Sequence, residues 1–157
     1  MYSVDTSALM DWQARFYPTD VFPSLKTQIE NLISARRFQA VALVKEEINS
    51  VGTPEMKSWA AGQSGLFVPV DAILQAEAKR IQSRYPDLVD ANNLHEQADP
   101  YVIALAKHRN WTVVSQETSV HEKRNPRKQY YIPDVCRDLG IPCINLLGLI
   151  RKERWAF

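Results

Sequence analysis

Five short apolar runs punctuate the chain: Tyr2 to Val4, Val41 to Val44, Leu66 to Val70, Trp111 to Ser115 and Ile141 to Leu147. They are rich in Val and Ile and lack polar alternation, as strands covered on both faces do. Between them the apolar positions change period. Leu25, Ile29, Leu32 and Ile33, then Leu74, Ala78, Ile81 and Tyr85, recur every three or four residues and predict helices with one apolar face. A third helix is predicted after Asp99-Pro100, with Val102, Leu105 and Ala106 on one side. Alternating strands and helices predict an α/β fold: a three-layer α/β/α sandwich with a mostly parallel central sheet and right-handed crossovers. Asp87 to Gln97 reads as the least structured stretch, with His121 to Gln129 next. No repeat or linker interrupts the pattern, so residues 1–157 read as one domain.

Composition narrows the class. With 45% hydrophobic and 24% charged residues, the chain is neither a disordered polymer nor a coiled coil. Its two cysteines, Cys136 and Cys143, lie seven apart without a CxxC or a histidine cluster, which suggests neither a disulfide framework nor a zinc site and fits a reducing compartment. The N-terminus lacks a basic flank before an apolar stretch, and no run approaches 18 apolar residues, so a cytoplasmic protein without a membrane span is expected. A net charge of +1 makes no global case for a nucleic-acid partner, but the charge is uneven: residues 118–157 hold eight basic side chains against four acidic ones.

Ligands of open parallel sheets collect at the carboxyl ends of the strands, where the strand order reverses. Asp5 follows the first apolar run, Glu46 and Glu47 follow the second, and Glu117 lies two residues past the fourth; Asp99 opens the helix that leads into the fourth. Acids crowded there repel one another unless a cation lies among them, and an all-oxygen donor set favours Mg²⁺ or Mn²⁺. Each acid also has a plainer reading. Asp99 before Pro100 suits a helix N-cap, Asp5 suits the cap of a helix starting near Ala8, Glu46 or Glu47 suits a first helical turn, and Glu117 suits a solvated loop.

Val-Asp-Thr-Ser at Val4 to Ser7, Glu47-Ile48 after a strand, Asp-Pro-Tyr-Val-Ile-Ala-Leu-Ala from Asp99, and Val-Val-Ser-Gln-Glu at Val113 to Glu117 together resemble a PIN-domain nuclease, over nearly the whole chain. Ile132-Pro-Asp-Val-Cys followed by Leu-Gly-Ile-Pro-Cys is similar to a PIN-like subgroup of bacteria and archaea often found beside a regulatory partner gene. The resemblance implies Asp5, Glu47 and Asp99 as metal-binding acids, Ser115 as the small hydroxyl residue of the fourth motif and Glu117 as its acid. It also implies Mg²⁺- or Mn²⁺-assisted hydrolysis of phosphodiester bonds in single-stranded RNA. In the toxins of this family a cognate antitoxin is the partner, and many of them are homodimers. The family more usually has Asp where this chain has Glu117, and the longer arm would reach an ion through water. The resemblance favours Glu47 over Glu46, because the family shows its acid directly before the apolar residue, here Ile48; successive helix positions point about 100° apart, so the two cannot aim equally at one ion.

The basic rim such a site needs is offered by Lys123, Arg124, Arg127 and Lys128, with Tyr130 and Tyr131 available to stack on bases. A merely solvated basic loop is the alternative. His95 reads as an ordinary loop histidine, and Trp12, Trp59, Trp111 and Trp155 as core or interface aromatics. The rival function is a catalytically inactive PIN-like module that binds RNA or protein and in which the acids only cap helices. A phospho-accepting receiver domain fits poorly, without an acidic pair after the first strand, and a haloacid-dehalogenase-type phosphatase needs Asp-x-Asp where this chain has Asp5-Thr6-Ser7.

Overall fold

Strand β1 (Tyr2–Val4) runs through the middle of the protein, with β2 (Phe38–Val41) and β4 (Thr112–Val114) on its two sides. β3 (Phe67–Val68) lies outside β2 and β5 (Cys143–Ile144) outside β4, all parallel, giving the order β3-β2-β1-β4-β5. The structure is a computed structural model that describes residues 1–93 and 95–157; Leu94, inside the stretch expected to be least structured, lies outside the described residues. Every residue of β1, β2 and β4 is buried, as expected for strands covered by helices on both faces. The fold is α/β, with helices flanking an all-parallel sheet.

The helices are α1 (Thr6–Met10), α2 (Pro23–Ser34), α3 (Ala42–Val51), α4 (Pro54–Ala61), α5 (Ala72–Arg84), α6 (Asp99–Arg109), α7 (Ile132–Leu139) and α8 (Leu146–Lys152). Their ends follow local chemistry. Asp71 accepts from Leu74 N at 2.8 Å to cap α5, and Asn145 accepts from Gly148 N at 2.8 Å to cap α8. Asn110 and Gly140 take left-handed conformations, φ 55° and 68°, to close α6 and α7. A π-helical stretch, Asp11–Phe16, continues α1.

α6 is buried from Pro100 to Ala106 and packs over β1, β2 and β4, with α5 against its outer side. Ser3 Oγ donates to Val102 O at 2.7 Å, fixing the helix lengthwise on the central strand. One hydrophobic cluster joins both sides of the sheet, including Val4, Ile29, Val44, Ile103, Val114 and Leu149.

Several boundaries differ from the sequence pattern. The second strand is Phe38–Val41, so the run Val41 to Val44 is the end of a strand and the start of α3. The run Ile141 to Leu147 likewise divides between β5 and α8, because Asn145 caps a new helix inside it. β3 and β4 are shorter than their runs, and α4, which the periodicity does not single out, begins at Pro54 behind the cap Thr53. Cys136 and Cys143 are both thiols. Among the described residues, no helix is long and apolar enough to cross a membrane.

Candidate acidic site at the switch point of the sheet

The chain runs outward from β1 to β2 and β3, then returns to β4 on the other side of β1, so the strand order reverses between β1 and β4. The carboxyl ends of these two strands form the crevice that such a reversal leaves open. Asp5 follows β1 and is buried. Its Oδ2 accepts from Ser115 Oγ at 3.1 Å, from Ser7 N at 3.2 Å and from the Ser7 hydroxyl. Ser115, at the end of β4, also accepts from Glu117 N at 3.1 Å. Two hydroxyls thus lock the Asp5 carboxylate between the strand ends.

Glu47 reaches in from the second turn of α3. Oε2 accepts from the Thr6 hydroxyl and Oε1 from Ala98 N at 2.9 Å, so one carboxylate braces the residue after Asp5 against the residue before Asp99. Glu46, one position earlier, is exposed and takes no part in this brace. Asp99 is the first residue of α6, and the N-cap is Ala98, without a side-chain capping bond. The capping reading of Asp99 is therefore overturned: its side chain makes no capping bond and lies 3.8 Å from Lys128 Nζ, while the backbone N–H of Ala98 donates to Glu47. Glu46 and Glu47 are not first-turn residues either, since α3 begins at Ala42. Asp5 does cap α1 while belonging to the crevice.

Glu117 Oε2 accepts from Ile132 N at 2.9 Å, tying the loop after β4 to the start of α7. The electrostatics of the four acids agree with their placement. Burial pushes each pKa up, and in Asp99 the charges of Asp5 and Glu117 push it further, well above the ordinary aspartate value. Asp5 is raised by burial against the lowering pull of Ser7 and Ser115. Glu47 and Glu117 are raised by burial too, each with a repulsive contribution from Asp5. Asp5 is the charge common to the upward shifts of the other three acids.

One cation already answers this charge. Lys128 Nζ lies 3.8 Å from Asp99 Oδ2 and donates to Leu88 O at 2.9 Å. The sequence places it on the substrate rim with Lys123, Arg124 and Arg127; it points inward instead. Arg124 and Arg127 are exposed, and Lys123 Nζ rests 4.2 Å above the Tyr131 ring. The two tyrosines are not open stacking platforms. Tyr131 is buried and its hydroxyl accepts from Arg127 N at 3.1 Å, while Tyr130 meets Tyr85 edge-on at 5.1 Å.

Two clefts flank the acids. One of about 590 Å³ opens beside Glu47, walled by Thr6, Glu46, Ser50 and His95; another of about 460 Å³ lies along Ser115, Gln116 and Glu117, with the exposed Phe16 on its wall. Thr6 and Ser7 enter the sequence reading within the Val-Asp-Thr-Ser motif but without a role in the site, where they bond Glu47 and Asp5. Nothing in the sequence points to Lys128 turning inward.

An all-oxygen, mutually repelling donor set suits a hard divalent cation. Among the described residues, however, no three Asp, Glu, His or Cys side chains are gathered into a ready-made cage. The all-oxygen donor chemistry fits Mg²⁺ or Mn²⁺.

This constellation, acids at the switch point of a five-stranded parallel sheet, defines an α/β protein with a polar crevice at the carboxyl edge of its sheet. The chain belongs to the family described as a domain of unknown function, DUF4411, whose model matches residues 2–157. It matches no curated protein. Among solved structures it is similar in fold to FitAB bound to an IR36 DNA fragment, with a TM-score of 0.52 and 16% identity over 92% of this chain and 94% of that one. It is also similar to FitAcB from Neisseria gonorrhoeae, with a TM-score of 0.50 and 18% identity over 92% of this chain and 97% of that one.

Proposed function

We propose that the protein is a Mg²⁺- or Mn²⁺-dependent endoribonuclease that hydrolyses phosphodiester bonds of single-stranded RNA. The observation that carries this reading is a set of hydrogen bonds at the reversal of the strand order: Glu47 braces Thr6 and Ala98, the neighbours of Asp5 and Asp99, and Ser115 bonds both Asp5 and the Glu117 N–H. Asp5, Asp99 and Glu117 would hold the ion, with Glu47 completing the set while bracing Thr6 and Ala98. A bound ion supplies positive charge to the scissile phosphate and lowers the pKa of an attacking water. Ser7 and Ser115 hold Asp5 in one orientation, which spares the site the cost of ordering it later. Arg124 and Arg127, exposed on the loop behind Glu117, offer charge to the RNA backbone. The clefts beside Glu47 and beside Glu117 offer room for a strand longer than one nucleotide.

The PIN-like resemblance extends this reading to the toxin of a toxin–antitoxin pair, acting in the cytoplasm, with an antitoxin protein as partner and a homodimer as its form. One similar solved structure is an assembly, FitAB, bound to a DNA fragment, and the fold likeness supports looking for a partner chain here.

A specific observation favours the second reading, an inactive RNA- or protein-binding module: Lys128 already neutralises part of the site, and no cage is preformed among the described residues. Cleavage of single-stranded RNA with Mn²⁺, compared with EDTA and with the Asp5→Asn and Asp99→Asn proteins, separates the two. Activity that needs the ion and both acids supports the nuclease; no cleavage, or cleavage undiminished in both variants, overturns it.

A further inference from the structure

Among the described residues, Lys128 is the one cation paired with any of the four acids, and it is held there from three directions. Its ammonium donates to the carbonyl of the buried Leu88 at 2.9 Å, lies 3.8 Å from Asp99, and stands 6.0 Å from the centre of the Tyr131 ring. Side-chain exposures of 28% for Lys128 and 18% for Asp99 leave the pair half-buried, where screening is reduced. Lysines that serve a polyanion from a rim keep their heads in solvent, as the exposed Arg124 and Arg127 do on the same loop.

We propose that Lys128 is the resident counter-ion of the acidic crevice, holding Asp99 in the cation-free protein and competing with an incoming divalent cation. The inference rests on the metal-dependent reading above. Its role differs from that of Arg124 and Arg127, because a positive charge beside Asp99 opposes a second positive charge at the same carboxylates. Removing it strengthens cation binding; replacing it with another positive charge does not. The variants separate charge from stapling: a lysine that only tied Leu88 to the loop would lose that bond in Lys128→Met without any gain in cation affinity.

The test is calorimetric titration of the full chain with MnCl₂, with no substrate present. Lys128→Met is expected to bind Mn²⁺ about tenfold more tightly than the unaltered protein, by the size of one removed like charge at short range. Lys128→Arg, and Lys79→Met on the exposed face of α5, are expected to stay within about twofold of it, which separates local charge from net charge. Far-ultraviolet circular dichroism verifies that each variant is folded, and Lys128→Arg carries the test if Lys128→Met is not: an affinity far from the unaltered value then overturns the proposal, and an unchanged one supports it. Unchanged or weaker binding in folded Lys128→Met, or an equal gain in Lys79→Met, overturns it. If the unaltered protein binds Mn²⁺ and Asp5→Asn does not, that failure leaves the metal-dependent reading standing. If neither the unaltered protein nor Lys128→Met binds, both fall.

Discussion

Ser115 Oγ donates to Asp5 Oδ2 at 3.1 Å, joining the carboxyl ends of β4 and β1 across 110 positions of sequence. Because Ser115 also accepts from Glu117 N, one hydroxyl orients an acid on each side of the crevice. Ser115→Ala leaves both partners short of a bond in a buried place. A stability decrease of about 1–3 kcal/mol is expected in urea unfolding. An unchanged midpoint would show that water replaces the hydroxyl without cost.

The doublet Glu46-Glu47 provides an internal control. Glu47→Gln removes the charge and puts an amide where the Thr6 hydroxyl and Ala98 N–H both need an acceptor, whereas Glu46→Gln alters an exposed side chain. Mn²⁺-dependent RNA cleavage is expected to fall by about 10- to 100-fold in Glu47→Gln and to stay near the original in Glu46→Gln. Equal decreases in the two would contradict the brace.

Stability in EDTA should depend on pH with an uncommon sign. Burial, then the charges of Asp5 and Glu117, raise the Asp99 pKa, so the folded protein holds that proton more tightly than the unfolded chain. Stability contributed this way is present below the ordinary value of 3.8 and is lost as pH rises through the raised folded value. Thermal melts in EDTA are expected to show higher midpoints at mildly acidic than at neutral pH. Asp99→Asn should raise the neutral-pH midpoint and flatten the slope. A midpoint that climbs steadily toward neutrality, unaffected by the substitution, would rule this out.

Arg124 and Arg127 are exposed on the loop that Glu117 and Asp134 anchor to α7. Changing both to Gln in an Asp5→Asn background is expected to weaken single-stranded RNA binding and to lower the salt slope by about 0.7 for each phosphate no longer neutralised. Filter binding over a range of KCl concentrations reads this directly. A slope equal to that of the Asp5→Asn parent places the RNA elsewhere.

The sheet was legible in the sequence because its buried strands carry apolar residues without regular polar alternation, and α6 because its apolar residues follow Asp99-Pro100. The edges were not. Phe38 to Val44 is apolar apart from Gln39, and α3 starts within it at a position with no side-chain cap, so periodicity alone cannot separate strand from helix. The acids at the strand ends were legible individually; that Glu47 serves the Ala98 amide depends on a hydrogen bond across 51 residues, which no local pattern records. Tyr131 and Lys128 misled for the same reason. Aromatic and basic residues in a loop read as an open surface, until Tyr131 packs inward and Leu88 and Asp99 draw the ammonium after them.

The central position of β1 has a bearing on biosynthesis. Asp5 leaves the ribosome well before the hydroxyl that fixes it, which arrives with Ser115, and before the amide that anchors Glu117, which arrives with Ile132. A nascent chain holding β1, β2 and β3 carries half a crevice, with one flank of its middle strand still open. The acidic pocket is therefore a late event in translation, and chains cut short before the fourth strand are born without it.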